Sequence, residues 1–474
     1  MSKLIPTIGL EMHCEMKSTS KVFSASANTY SRHSNTHVAP VDQGLPGILP
    51  VVNKECVRKS ILMASILQCE IPEYLLFDRK NYYYPDLPKG YQITQSHSPI
   101  GVNGMITVPF GNSTLDVKIH DIHLEEDTAR LEHLADETLI NYNRSGVPLL
   151  ELVTEPVFHS KEEVLAFLEY IRKIYQYTDI SDADVRKGQI RCDVNISVGE
   201  ENGPFGTRVE VKNVNSFSNV EKVIDAEVAR QMKLIEENRS HEIEQETRRY
   251  DEETNSTIRM RSKEDALDYK YFVEPNIPKI RLSKEWIKEI QDNIVELPLS
   301  RMNRYRDLNL TEEDINTLVR EKAISDYYDQ CLELGCDSTL ACNWITSNIL
   351  AYVNKENISF TELEFSPKEL HLLLSKIKDG TISSKQAKEV ADKVLKEKKK
   401  VSDVLSNMDS QISDEGYLEE LITKIVNDNP SQVEAYKNGR TNLFNFFVGA
   451  VMKETKGQAN PVLTKEIITK KLSE

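Results

Sequence analysis

The chain has 474 residues, of which 39% are apolar and 28% charged, and its formal net charge is −16. This length exceeds what a single hydrophobic core supports, so we expect two or three domains. The longest apolar clusters, such as 448–452, fall far short of the ~20 residues that a membrane-spanning helix needs. The seven cysteines form no disulfide framework and the N-terminus shows no leader pattern, which favours free thiols in a reducing compartment.

Strand-like patterns are frequent up to about residue 278. The segments 190–198 and 207–212 both alternate with a period of two, so their polar side chains share one face of each strand. These side chains are Arg191, Asp193, Asn195, Arg208, Glu210 and Lys212. Two such strands predict a sheet whose polar face lines a site, with a solvated sheet face as the alternative.

Helical patterns interrupt this sheet and dominate the sequence after residue 278. Ser160 and Glu163 form a capping-box pattern at the start of one amphipathic helix, and a second helix is predicted over 219–237. Near the C-terminus, Ser383 or Ser384 is expected to cap a helix whose apolar face includes Ala387. The pattern therefore predicts an α+β domain followed by helices.

Positive charge collects near the C-terminal end of this acidic chain. Within 437–471 there are seven basic residues and two acidic ones, a local net charge of +5. Such a balance is compatible with nucleic-acid binding, although the charge alone favours an ordinary solvated helical surface.

Carboxylates and imidazoles in the N-terminal half are candidate ligands for a metal ion. Glu11 and His13 lie two residues apart in a strand-like run and share a face, and 125–127 gives three consecutive carboxylates. Glu151, Glu155, Asp193 and Glu210 follow along the chain. Carboxylate oxygens suit magnesium, which usually accompanies nucleotide phosphates. The familiar nucleotide motifs are absent from the sequence, so an ATP site here would be of another type.

Many segments, in order along the whole chain, resemble the B subunit of the tRNA-dependent amidotransferases, the GatB family. The N-terminal ones are IGLEMH at 8–13, LPGILPVVN at 45–53, FDRKNYYYPD at 77–86, PKGYQI at 88–93, LEED at 124–127 and YNRSGVPLLELV at 142–153. The later ones are IRCDVNIS at 190–197, VKNVNSF at 211–217, QETRR at 245–249, DGTISSKQA at 379–387 and KGQANP at 456–461.

The resemblance implies one ATP-dependent component of a larger enzyme. Members of this family phosphorylate the side-chain carboxylate of Glu-tRNA or Asp-tRNA, and ammonia then displaces phosphate to give Gln-tRNA or Asn-tRNA. The implied cofactors are ATP and magnesium. The implied partners are an amidase (GatA), which releases the ammonia, a small third protein (GatC), and misacylated tRNA(Gln) or tRNA(Asn). Neither a membrane nor DNA is expected as a partner, and the expected location is a bacterial-type cytoplasm, with an organelle left open.

Roles for individual residues follow from the resemblance alone. The implied metal ligands are Glu11, His13, Glu126, Asp193 and Glu210, and the implied catalytic residues are Lys80, Lys89 and Glu126. ATP or the aminoacyl end would be bound by Arg191, Asn195, Lys212, Asn213, Gln245 and Arg248. The tRNA would be bound by Arg440, Lys453 and Lys456.

The resemblance also implies a domain layout. A glutamine-synthetase-like cradle built on an antiparallel sheet would cover 1–292, a helical linker domain 293–375, and a small all-helical tRNA-binding tail, YqeY-like, 376–474. Some members bind zinc through cysteine pairs before the LPG segment. Here 30–40 contains His33 and His37 but no cysteine, so we expect no zinc.

Two alternatives remain at this point. One is a non-catalytic tRNA-binding scaffold, in which the acidic clusters are ordinary solvated surface. The other is a free-standing ligase acting on a small amino acid, which the basic helical tail disfavours. The sequence does not decide whether Glu-tRNA, Asp-tRNA or both are substrates.

Overall fold

The computed structural model describes residues 3–214, 216–262, 268–406, 415–437, 440–455 and 459–473. The chain divides into two compact units, Met1–Leu299 and Ser300–Glu474. The first unit contains a large mixed sheet with helices, and the second is helical, which confirms the predicted α+β class. Among the described residues, we find no helix both long and apolar enough to cross a membrane.

The first unit is built around an eight-stranded sheet with the order β13-β12-β11-β10-β1-β9-β6-β5. A three-stranded sheet, β14-β3-β4, and two short strand pairs accompany it. The strands are β1 Leu4–Glu15, β2 Tyr74–Leu75, β3 Asp78–Asn81, β4 Tyr91–Thr94, β5 Gly101–Phe110, β6 Ser113–Glu126, β7 Arg130–His133, β8 Thr138–Asn141, β9 Pro148–Thr154, β10 Ile190–Glu200, β11 Val209–Val214, β12 Glu246–Asp251, β13 Ser256–Ser262, β14 Phe272–Val273 and β15 Ile280–Arg281.

Three helices of the first unit cover the apolar face of this sheet, and a fourth packs against the first of them. The three are α1 Lys54–Ile66, α2 Lys161–Tyr177 and α3 Phe217–Glu236, and the fourth is α4 Lys284–Asp292. Alternation along β10 buries Cys192, Val194 and Ile196 in the same core as Phe167 of α2 and Val223 of α3. Both helices predicted in this region are therefore confirmed, and the opposite face of the sheet is left to polar side chains.

The large sheet is antiparallel except at one pair of strands. Strands β11 and β12 pair in parallel, whereas the other pairs in the eight-stranded sheet are antiparallel. A parallel pair needs a long crossover connection, and α3 lies between these two strands in the chain. The crossover packs α3 against β10 and β13 on the apolar side.

The second unit consists of helices. Together with α5, which begins at the unit boundary, they are α5 Pro298–Arg306, α6 Glu312–Leu318, α7 Lys322–Glu333, α8 Ser338–Trp344, α9 Leu350–Glu356, α10 Pro367–Lys378, α11 Ser384–Glu397, α12 Val401–Ser406, α13 Glu415–Asn427, α14 Pro430–Lys437, α15 Phe444–Glu454 and α16 Pro461–Ser473. Ser383 caps α11 through a capping box with Gln386, and Ala387 is buried, as predicted. The boundaries at 292 and 375 remain predictions.

A buried carboxylate ties α3 to the edge of the sheet. Glu227 is fully buried, and its two oxygens accept hydrogen bonds from Arg230, Gln231 at 2.8 Å and Thr257 at 2.7 Å. The guanidinium of Arg248 lies 3.7 Å from the same carboxylate. A buried charge is tolerated when it is paired and hydrogen-bonded, so this network fixes the β12–β13 hairpin against the helix.

We expect Glu227→Ala to lower the free energy of unfolding of the first unit by about 3–5 kcal/mol, because two arginines lose their buried counter-charge. Denaturant unfolding followed by the fluorescence of Trp286 in a Trp344→Phe background isolates this unit. Glu237→Ala, at an exposed ion pair just after the last residue of α3, should change stability by ~0.5 kcal/mol or less. Equal effects of the two variants would contradict a structural role for the buried network.

Candidate active site

The polar face of the eight-stranded sheet, defined as the side opposite α2 and α3, carries charged groups on neighbouring strands. The strand register places Glu11 of β1 opposite Asp193 of β10, and His13 of β1 opposite Glu151 of β9. Glu151 is in turn opposite His123 of β6. Because side chains directly opposite each other on one face lie within contact distance, these residues form a continuous stripe across four strands.

The first group on this face combines an imidazole with two carboxylates. His13, Glu125 and Glu151 each offer a ligand atom, and these atoms lie within 4.8 Å of one another. The Nε2 atom of His13 is 3.2 Å from Oε2 of Glu151. Within the described part of the chain, the buried Oε2 atom of Glu125 has no hydrogen-bond partner. An unsatisfied buried carboxylate oxygen beside an imidazole is what a divalent cation would complete.

Charge balance within this group shifts the pKa of each member. Burial alone would lower the pKa of His13, but the carboxylates of Glu151, Glu125 and Asp193 together outweigh burial and raise it to about 9. Burial raises the pKa of Glu125, and the neighbouring Glu151 raises it further. For Glu151 itself, His123 and His13 overcome the opposing effect of burial and lower the pKa well below its usual value. The group therefore holds Glu151 ionised between two imidazoles.

A second histidine, His123, also contacts Glu151. Nε2 of His123 lies 3.0 Å from Oε2 of Glu151, and its Nδ1 lies 2.8 Å from Oδ1 of Asp121. Burial would lower the pKa of His123, but Glu151 and Asp121 raise it well above its usual value. With a carboxylate at each ring nitrogen, the ring is an imidazolium that donates to both, so it fixes the orientation of Glu151.

The second group contains Glu11, Asp193 and Glu210, whose ligand atoms also lie within 4.8 Å of one another. The ammonium of Lys212 lies 3.0 Å from Asp193 and 2.7 Å from Glu210. Asn195 donates to Glu11 at 3.0 Å. Burial and then Glu151 raise the pKa of Glu11, so the two groups interact electrostatically. They form one acidic surface with a lysine inside it.

Two arginines lie beside this surface, around the carboxylate of Asp127. Arg191 of β10 donates to Asp127 at 2.9 Å, and Arg144 approaches the same carboxylate at 3.5 Å. Burial raises the pKa of Glu15 to about 7, with Asp127 adding to the shift and Arg191 opposing it. Arg191 therefore lies on the polar face, as predicted, and is held by a carboxylate there.

Lys80 approaches the first group from the three-stranded sheet. Its ammonium lies 5.0 Å from the ring centre of Tyr269. Burial lowers the pKa of Lys80, but Glu125 and Glu151 outweigh that effect and the pKa is raised. The predicted Lys80 thus lies beside the acidic surface.

Glu126 lies apart from both groups, contrary to its predicted place among the metal ligands. It follows Glu125 in β6 and so projects from the other side of the strand. Lys89 lies 2.7 Å from its oxygens, and the backbone N–H of Ile93 donates to it at 2.9 Å. Both carboxylate oxygens of Glu126 are therefore engaged, and it is Glu125 that lies beside His13 and Glu151.

Arg248 also lies away from the polar face. It contacts Glu227 and Thr257 on the side covered by α3, because it follows Thr247, whose hydroxyl donates to Glu210 at 3.0 Å on the polar side. Gln245 is half-buried just before β12.

The remaining predicted residues cannot be placed in either group. The side chain of Asn213 and the whole of Lys456 fall outside the described residues. Arg440 and Lys453 belong to the second unit, where both are exposed.

The metal ligands predicted from the sequence omit two members of the first group, Glu125 and Glu151, although both are among the candidate carboxylates. A signal for them is present: Glu125 shares the alternation of His123 along β6, as Glu11 shares that of His13 along β1. The cross-strand register that joins β9 to both strands is not visible in the sequence.

Residues 6–288 match the family model of the GatB/GatE catalytic domain, and residues 326–472 match that of the GatB domain. The chain belongs to this family. It is 40% identical to the B subunit of the aspartyl/glutamyl-tRNA(Asn/Gln) amidotransferase of Brevibacillus brevis over 480 residues, covering 100% of both chains. It is 42% identical to proteins of the same name from Bacillus licheniformis and Bacillus mycoides, covering 98% of each chain. The GatB/GatE match spans every residue of both acidic groups.

The donor set of the first group fits a hard divalent cation, provided that His13 loses its proton. Because the pKa of His13 is about 9, a metal ion must displace a proton at neutral pH. We expect the affinity for Mn²⁺ to rise by about tenfold per pH unit from 7 to 9 and to level off above 9. Calorimetric titrations across this range measure the slope. His13→Asn should weaken binding and remove the pH dependence, whereas an affinity independent of pH in the unaltered protein would contradict metal binding by His13.

Proposed function

We propose that this chain is the ATP-dependent subunit of a tRNA amidotransferase, which activates the side-chain carboxylate of Glu-tRNA(Gln) or Asp-tRNA(Asn). The observation that carries this proposal is the pair of acidic groups on one sheet face, with Lys212 within 3.0 Å of Asp193. The relatives of the same length are named as the B subunit of aspartyl/glutamyl-tRNA(Asn/Gln) amidotransferase. We infer that ATP and magnesium are the cofactors.

The proposed reaction has two steps. The side-chain carboxylate oxygen attacks the γ-phosphorus of ATP, and the bond from that phosphorus to the β-bridging oxygen breaks, which releases ADP. Ammonia then attacks the activated carbonyl carbon and phosphate leaves, while the nitrogen loses a proton to form the amide. A carboxylate is a poor electrophile at neutral pH, so the first step supplies the leaving group that the second requires. Magnesium would neutralise charge on the transferred phosphoryl group.

Residue roles follow from where the side chains lie. His13, Glu125 and Glu151 would hold one magnesium ion, and Glu125 replaces Glu126 in our assignment. Glu11, Asp193 and Glu210 would hold a second one.

Cationic and amide side chains would bind the reactants around these ions. Lys212, which lies inside the second group, would meet the transferred phosphoryl group, and Asn195 would support Glu11. Arg191 and Lys80 flank the acidic surface and would bind the anionic substrate. Lys89 is paired with Glu126 and would act only after leaving that pair.

The proposed activity requires partners. The cysteines of this chain do not occur in a glutaminase pattern, so ammonia would come from a separate amidase (GatA), with the small GatC protein completing a heterotrimer. The exposed Arg440 and Lys453 would contact the tRNA backbone. Because the relatives are bacterial proteins, we propose a cytoplasmic location.

A non-catalytic tRNA-binding scaffold is the second candidate. Ordinary surface carboxylates would be solvated, whereas Glu125 and Asp193 are almost completely buried and gathered beside His13 and Lys212. Burial of that much like charge favours a catalytic role.

Phosphate release from ATP by the assembled complex tests the proposal, with Glu-tRNA, uncharged tRNA and free glutamate as separate arms. We expect release with Glu-tRNA alone. Glu125→Gln should lower it by on the order of a hundredfold or more, since a metal ligand is lost. Glu126→Gln, a neighbour with the same chemical change, should keep Mn²⁺ binding at the unaltered level. A loss of Mn²⁺ binding in Glu126→Gln alone would reverse our assignment.

Charge on the second unit predicts a salt-dependent contribution to tRNA binding. The double variant Arg440→Ala/Lys453→Ala should weaken tRNA binding and reduce the slope of log affinity against log salt by ~0.7 to 0.9 for each lost phosphate contact. ATP hydrolysis at saturating Glu-tRNA should persist. Lys288→Ala, at an exposed lysine of α4, serves as the control and should leave the slope unchanged. An unchanged slope in the double variant would remove these two residues from the tRNA surface.

A further inference from the structure

The C-terminal end of α7, in the second unit, brings two cysteines together. The chain leaves this helix through a Schellman motif, in which the backbone N–H of Cys336 donates to the carbonyl of Cys331 at 3.0 Å. The N–H of Gly335 donates to the carbonyl of Leu332 at 2.9 Å, and the φ of Gly335 is +89°. In this motif the side chains of the first and last residues meet, so the two cysteines face each other. The backbone hydrogen bond also keeps their Cα atoms within about 7 Å, the limit for a disulfide.

The two thiols are hydrogen-bonded to each other but differ in their surroundings. Cys331 is completely buried, whereas Cys336 is partly exposed at the end of the helix. Burial raises the pKa of both thiols, and their mutual contact raises the pKa of Cys331 further but lowers that of Cys336. Cys336 is therefore the thiol that loses its proton more readily, and it is also the one that a solute reaches.

A base lies next to the accessible thiol. Nδ1 of His371, in α10, is 3.5 Å from Sγ of Cys336, so the unprotonated nitrogen accepts the thiol proton. On the buried side, the hydroxyl of Tyr327 has no hydrogen-bond partner among the residues that the structure describes. Burial and then the two thiols raise the pKa of Tyr327, so its hydroxyl lies close to them. An unpaired buried hydroxyl offers a hydrogen bond to an oxygen atom that enters this place.

We propose that Cys331 and Cys336 form a reversible disulfide on exposure to a hydroperoxide, with Cys336 as the attacking thiol and Cys331 as the resolving thiol. His371 is the base that generates the thiolate. The pair is thus a site of oxidative modification in the second unit, and it is independent of the proposed function.

The oxidation has two steps, and together they consume one molecule of hydrogen peroxide. The thiolate of Cys336 attacks a peroxide oxygen and the O–O bond breaks, which leaves a sulfenic acid on Cys336 and hydroxide. Hydroxide takes the proton held by His371 and leaves as water. The sulfur of Cys331 then attacks the sulfur of Cys336, the S–O bond breaks, and a second water leaves with the thiol proton of Cys331. Two thiols are oxidised to a disulfide while the peroxide is reduced to water.

Mass spectrometry of the full-length chain after treatment with hydrogen peroxide tests the proposal. Cleavage on the N-terminal side of aspartate releases residues 329–336, which contain both thiols but not Cys342. We expect this peptide to resist alkylation and to be lighter than the reduced peptide by the mass of two hydrogen atoms. Dithiothreitol should restore both alkylation sites. A peptide that stays reduced, or that gains oxygen without forming the bridge, would overturn the proposal.

Substitutions separate the roles of the three residues. Cys331→Ser should stop the reaction at a sulfenic acid on Cys336, which dimedone traps, whereas Cys336→Ser should leave the buried Cys331 unmodified. His371→Ala should slow formation of the bridge by on the order of tenfold or more, because the base is lost, without preventing it. Oxidation of Cys331 in the Cys336→Ser variant, or an unchanged rate in the His371→Ala variant, would contradict the assigned roles.

Cys69 provides the matched control, because it is the other cysteine that is not completely buried. It lies in the first unit, so Cys69→Ser should form the bridge at the unaltered rate. A bridge that joins Cys336 to any cysteine except Cys331, within one chain or between two, would overturn the pairing.

Discussion

Like-charge repulsion on one face of the sheet is the constraint on which the site depends. Carboxylates from five strands converge there, and buried groups of one sign destabilise one another unless cations stand between them. His13 and His123 flank Glu151, and Lys212 lies between Asp193 and Glu210. The resident cations thus offset the repulsion within the surface, and under the proposed function a metal ion or a phosphate would exchange with them.

Much of the fold is predictable because it follows from local pattern. The two-residue alternation of β10 and the capping serines of α2 and α11 can be recognised in the sequence. Each of these elements forms where it is expected. The parallel pairing of β11 with β12 cannot be predicted from the sequence pattern. It depends on which side α3 crosses, and that is decided by packing between residues far apart in the chain.

The site is predictable by residue type but not by register. Glu126 is predicted as a metal ligand, but its neighbour Glu125 lies in the first acidic group, and Arg248 lies on the face covered by α3, because one residue moves a strand side chain to the opposite face. Consecutive charged residues such as 125–127 and 248–249 give no alternation to resolve the choice. Only tertiary contacts decide it: the backbone N–H of Ile93 in β4 donates to Glu126, and Glu227 of α3 lies beside Arg248.

Under the proposed function, this surface forms an acyl phosphate on the side chain of an aminoacyl-tRNA. Oxygen transfer tests it most directly: the assembled complex converts Glu-tRNA labelled with ¹⁸O in the side-chain carboxylate, and the released phosphate is analysed by mass spectrometry. Attack of the carboxylate on the γ-phosphorus predicts one ¹⁸O atom in each phosphate released. Phosphate without the label, formed together with Gln-tRNA, would contradict the account.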